Sequence, residues 1–163
     1  MTVIANALPT TPPPSPSPAA QTISNDGFFP DVEMVAMRDA MRLDGTVTDA
    51  RLRPAIVDAI LFVNHSLAAW RAINAQGVAS LADIPATKID GESRLIALYR
   101  RAVYSTAKAD LIERYRDYDT TATALTDKKG MDWMDNAPAD QRRNAQWAIS
   151  DLIGRNRMTV ELI

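Results

Sequence analysis

Apolar positions along the chain recur at intervals of three and four. Between Thr48 and Asn74, the residues Leu52, Ile56, Ala59, Val63, Leu67 and Trp70 repeat at 4, 3, 4, 4 and 3. That spacing lays one stripe along a helix. Ile60 and Ile73 widen the stripe, and Asn64 and His65 fall on the opposite, polar side. Thr48 suits an N-cap, with Asp49 in the first turn. Pro54 is best tolerated near a helix start, which moves the expected start toward Leu52. Gly77 supplies the stop.

The same periodicity predicts three further helices. One is short, Asp31 to Arg42, with Met34, Met37 and Met41 on one side. The next runs from Asp90 to about Asp117, with Asp90 as its cap and Glu92 near the positive end of the dipole. Its inward positions are Leu95, Leu98, Tyr99, Ala102, Val103, Ala109 and Ile112. Ala97, Ala102, Ser105, Ala107 and Ala109 are small enough to let another helix approach closely. The last starts at Asp132 or Pro138 and ends near Ile153, with Trp133, Ala137, Ala145, Ala148, Ile149 and Leu152 inward and Trp147 off the stripe. Between these helices, Gly77 to Lys88 reads as a loop anchored by Leu81 and Ile84, and Thr120 to Thr126 reads as a connection.

Both ends differ from this body. Six of the ten prolines lie in the first 18 residues, and Asp26 is the one charge among the first 30. Proline fixes φ and lacks a donor, so this arm is extended, of polyproline II type. Phe28 and Phe29 close it, either plugging the chain's own core or anchoring a neighbour. At the other end, Arg157 to Ile163 alternates and is rich in β-branched residues, the pattern of a strand. One strand is not stable alone, so its partner is the arm, the loop around Leu81 or another chain. The expected fold is all-α. It is a small bundle of three to four helices (residues 31–154) with an extended Pro-rich N-terminal arm (1–30) and a short C-terminal strand (155–163).

Composition narrows the chemistry. The 163 residues suit one domain. There is no Cys and one His, His65, which excludes disulfides, thiolate nucleophiles and multi-His zinc sites. The nearest pair of glycines, Gly77 and Gly91, is too far apart to cradle a phosphate. No GxSxG motif occurs. Neither a catalytic constellation, nor a cofactor, nor a metal site is expected, and the chain does not read as an enzyme. No unbroken apolar run is long enough to predict a membrane span. The net charge of −2 is not that of a protein held on duplex DNA by phosphate contacts. A small helical regulatory or DNA-binding protein is the alternative reading.

The helix from Asp90 alternates Arg94, Arg100, Arg101, Lys108, Arg114 and Arg116 with Asp110, Glu113 and Asp117. Such a face is either solvated, with i,i+4 pairs, or meets a second subunit.

Several ordered segments carry a resemblance to a known family. They are Phe28-Phe29-Pro30-Asp31, Met41-Arg42-Leu43, Leu81-Ala82-Asp83-Ile84-Pro85 and Ile89-Asp90-Gly91-Glu92-Ser93. Arg101-Ala102-Val103, Glu113-Arg114-Tyr115-Arg116, Trp147-Ala148, Ile153-Gly154, Arg157 and Val160 follow in order. From Phe28 to Ile163 the chain resembles the head-completion proteins, gpL, of temperate contractile-tailed phages of the coliphage-P-two type. The proline arm does not match in detail.

The resemblance implies a non-catalytic virion part at the neck, assembled in the host cytoplasm. Its partners would be the portal protein, a tail terminator or neck protein, and itself, as a ring of twelve copies. Genomic DNA would pass through the channel without sequence-specific binding. The portal contact is expected at Arg155, Arg157, Met158, Val160, Leu162 and Ile163. The contact between subunits is expected at Phe28, Phe29, Arg94, Arg101, Lys108, Arg114 and Trp147.

Overall fold

A computed structural model describes residues 21–43, 47–122 and 137–156, with residues 115–122 described by their backbone alone. In chain order the elements are β1 (Thr22–Ile23), β2 (Val32–Glu33), α1 (Met34–Met41), α2 (Asp49–Asn74), a 3-10 turn (Leu81–Asp83), β3 (Lys88–Ile89), β4 (Glu92–Ser93), α3 (Arg94–Ala122) and α4 (Ala137–Ile153). The described residues are mostly helical, as the periodicity predicts.

The long helix α3 is central. It packs against α4 on one flank and α2 on the other, while α2 and α4 touch each other little. Side-chain pairs set the directions. Tyr99 bonds Asn64 and Arg114 bonds Asp58, so α2 and α3 run antiparallel. Arg94 reaches Asp151 and Arg142 reaches Asp110, so α3 and α4 are antiparallel too.

The predicted stripe of α2 is its buried face. Leu52, Ile56, Ala59, Val63 and Leu67 are fully buried, Ile60 joins them, and Trp70 is half-buried. Of the small residues on α3 expected to let another helix approach, all but the exposed Ala97 are buried, and α3 packs most extensively on α4. Ala102, Ser105, Ala107 and Ala109 are buried on α3, with Ala145 and Ala148 on α4. Burying such a stripe contributes about 1.5–3 kcal/mol for each large side chain.

Several expectations are corrected. The second long helix starts at Arg94, not Asp90. Asp90 and Gly91 have φ of 53° and 76° and form the two-residue turn between β3 and β4, whose register pairs Ile89 with Glu92. Two successive left-handed residues make the turn that matches strand twist, and Asp-Gly is its strongest sequence signal. Helix α2 starts at Asp49 rather than Leu52 and keeps Pro54 inside. Both Pro54 and Ala50, whose carbonyl loses its partner to the proline, are exposed. At an exposed position water can reach that carbonyl, so losing its helical partner costs little. Ile73 is 74% exposed and does not widen the stripe. Helix α3 continues through Ala122, so Thr120–Ala122 is helix and not connection.

The N-terminal boundary also moves. Thr22 and Ile23 pair with Glu33 and Val32 in an antiparallel ladder, and Ile23 is buried. Phe28 and Phe29 between the two strands are buried as well. The arm's last residues thus find a strand partner in β2. Residues 1–20, Trp133 and the predicted strand from Arg157 lie outside the described residues.

By length and composition alone α2 would pass as a membrane span. This differs from the absence of a span expected from unbroken apolar runs. In this fold its apolar stripe forms the core.

Candidate assembly interface

The loop between β1 and β2 is a strap over α2 and α3. Asp26 organises it. Its Oδ1 accepts the amide hydrogens of Phe28 and Phe29, each at 3.1 Å. Its Oδ2 accepts from Arg71 at 2.5 Å. Partial burial opposes ionisation of this carboxyl. The two amides and Arg71 outweigh it and hold the pKa below the usual carboxylate value.

The turn so formed drives both phenylalanines inward. Phe29 stacks on Tyr99 with centroids 4.7 Å apart and planes 8° from parallel. Phe28 meets Phe29 edge-on at 5.0 Å, and the Arg71 guanidinium lies 4.4 Å from the Phe28 centroid. Phe28 and Phe29 are 4% and 3% exposed. They fill the chain's own core. Of the two roles expected for them, this is the plug in the chain's own core, and little of either ring is left exposed.

Beneath them three polar side chains close a ring. Asn25 Nδ2 donates to Tyr99 Oη at 2.7 Å, Tyr99 Oη donates to Asn64 Oδ1 at 2.7 Å, and Asn64 Nδ2 donates to Asn25 Oδ1 at 2.9 Å. Burial pushes the Tyr99 phenol well above its ordinary pKa, so it stays a donor. Asn64 is therefore not on the polar side beside His65. His65 is exposed as expected.

The remaining predicted contacts divide sharply. Arg94 donates to the Asp151 carbonyl at 2.9 Å, and Lys108 to the Met41 carbonyl at 2.8 Å. Arg114 pairs with Asp58 at 3.0 Å. These cations are tied up within one chain. Trp147 is half-buried, with the Arg143 guanidinium 5.2 Å from its ring centroid. Arg101 is exposed and makes no ion pair among the described residues. Arg155 is exposed just past the Gly154 stop, where its amide bonds the Ser150 carbonyl at 2.8 Å. Arg157, Met158, Val160, Leu162 and Ile163 lie outside the described residues.

The structure adds a feature that periodicity passed over. A shallow groove between α2 and α4, floored by α3, is lined by Phe62, Thr106, Asp110, Arg142, Ala145 and Gln146. Phe62 is 45% exposed and its neighbour Leu61 is 64% exposed. Arg142 bridges Asp110 at 3.3 Å and Glu113. Burial raises the pKa of Asp110 against the pull of Arg142. The available signal was Leu61-Phe62, two large apolar residues off the core stripe.

Among the described residues, no group of three or more His, Asp or Glu side chains is placed to hold a metal. The described residues thus form a helical body with a buried aromatic strap, paired surface charges and a groove that joins Phe62 to charged side chains. The chain belongs to the phage head completion protein (GPL) family, whose model matches residues 23–163. The chain is also 40% identical over 151 residues to the head completion/stabilization protein of Escherichia phage P2, covering 92% of this chain and 88% of that one. No solved structure matches. The chain is thus a virion component with a structural role in head completion, working among other proteins of the head.

Proposed function

We propose that the chain assembles as a twelve-copy ring beneath the portal, closes the DNA-filled head and presents the surface on which a tail terminator or neck protein docks. The observation that carries this reading is family membership across the whole body, residues 23–163. Physical features support it. A channel that DNA traverses gains nothing from strong phosphate affinity, and a net charge of −2 suits that. Helix α4 stops at Gly154, followed by the exposed Arg155, and the sequence from Arg157 to Ile163 alternates in the pattern of a strand. An extended segment of that kind adds to a sheet edge of a partner, here the portal. The action is one of packing, without catalysis, at the neck of the virion.

The test is to mix the chain with portal rings and measure particle mass. Twelve copies per portal ring are expected. Deleting Arg155 to Ile163 is expected to keep the helical signal and the unfolding midpoint while abolishing co-migration with portal. Unchanged portal affinity after the deletion would overturn the docking assignment. Strong, steeply salt-dependent binding to duplex DNA would instead support a DNA-binding protein.

A further inference from the structure

The groove and the bare side of α3 behind it are complementary. On the outward side of α2, Val57, Leu61 and Phe62 are 38%, 64% and 45% exposed. Beside Phe62 lie three carboxylates, those of Asp58, Asp110 and Glu113. Two guanidiniums, Arg114 and Arg142, serve all three. The groove thus joins an apolar wall to a surplus of negative charge.

Arg101 lies behind it. Asp110 follows Arg101 by about two and a half helical turns, which places the two roughly 180° apart around α3. Ala97 and Arg94 share the row of Arg101 and all three are exposed, the Arg94 guanidinium staying on the Asp151 carbonyl. Ala97 is small and allows close approach.

We propose that a second copy of this chain fills the groove. The Arg94–Ala97–Arg101 row of one copy packs on Leu61 and Phe62 of the next, with the Arg101 guanidinium over the Phe62 ring and facing Asp110 and Glu113. A face and its complement on opposite sides of one helix give a head-to-tail contact, which repeats around a ring and does not close as a pair. An arginine over an aromatic ring is a favourable contact when partly desolvated. This fold already uses it at Arg71 over Phe28 and Arg143 over Trp147. The inference rests on the ring reading above and names the faces that meet.

The chain has no Cys, so introduced thiols are unique. Leu61→Cys and Ala97→Cys are both at exposed positions, and circular dichroism checks that each chain stays helical. Mixed under mild oxidant, the two chains should form 61–97 dimers about tenfold in excess of 61–61 and 97–97 dimers, the ratio that ~1.4 kcal/mol of preference gives. A chain carrying both cysteines should give a ladder of higher oligomers. Adding Arg101→Glu to the Ala97→Cys chain should cut the 61–97 yield about tenfold, because it sets like charges against each other.

Homodimers equal to or exceeding 61–97 dimers would overturn the proposal, as would a yield that Arg101→Glu leaves unchanged. The mass of the unmodified chain separates the two levels. Rings without 61–97 linkage would sink the face assignment and leave the ring. A single chain at every concentration, alone and with portal, would sink both.

Discussion

The Tyr99 hydroxyl donates to Asn64 Oδ1 at 2.7 Å while accepting from Asn25, so α3 holds α2 and the N-terminal strap through one oxygen. A buried polar network of this kind stabilises only when every member is satisfied. Here each amide of the triad finds its partner. Asn25 Nδ2 uses its second hydrogen on the Pro30 carbonyl at 3.0 Å.

Tyr99→Phe keeps the stacked ring but leaves Asn25 and Asn64 each short of a partner. It is expected to cost about 1–3 kcal/mol. Urea unfolding monitored by far-UV circular dichroism measures this. A loss below about 0.5 kcal/mol, the low end for a typical net hydrogen bond, would show that water replaces the hydroxyl.

Phe29→Ala removes the ring stacked on Tyr99 and leaves a cavity, which is expected to destabilise the single chain by about 3–5 kcal/mol. Phe28→Ala should cost less, because Arg71 covers that ring from the surface. Both appear as lower unfolding midpoints at dilution, where no assembly forms. An unchanged midpoint with lost assembly would return these rings to the neighbour-anchoring role.

Asp26 and Asp110 are expected to act oppositely on acid stability. The folded pKa of Asp26 is depressed below 3.8, so its contribution is full above that value and is lost as pH falls through the folded pKa. Asp26→Asn should therefore flatten the acid limb of the stability curve. The folded pKa of Asp110 is raised above 3.8, so ionising it opposes folding as pH rises from 3.8 through that value. Asp110→Asn removes that opposing slope. Thermal melts between pH 3 and 7 should show the two variants diverging.

Gly91→Ala tests the hairpin turn. A Cβ there meets nothing within 4 Å, so the penalty is conformational alone. At φ +76° it is expected to be about 1–2 kcal/mol. Gly91→Asn should cost less, since Asn tolerates the left-handed region. Equal costs for the two would mean that the turn relaxes to another type.

Much of the scaffold was legible beforehand. The stripe from Leu52 to Leu67 was readable because helical period and burial coincide there. Asp90-Gly91 reads in sequence as a helix cap because aspartate serves both helix caps and tight turns. What separates the two uses is the pairing of Lys88 and Ile89 with Ser93 and Glu92, a contact between strands only two residues long. The groove was not legible because Phe62 and Asp110 lie on different helices, and no period along one helix relates them.

Local pattern therefore determined the helical class, the buried face of α2 and the small-residue stripe of α3. Each follows from neighbours within a few turns, where helix geometry alone dictates which side chains align. Tertiary structure decided the rest. It placed Phe28 and Phe29 in the chain's own core, brought Asn25 to Asn64 and Tyr99 across separations of 39 and 74 residues, and left Arg101 exposed while tying Lys108 and Arg114 to α1 and α2. Those outcomes depend on which helices pack and in which direction. That is set by burial of the whole core and not by any segment of it.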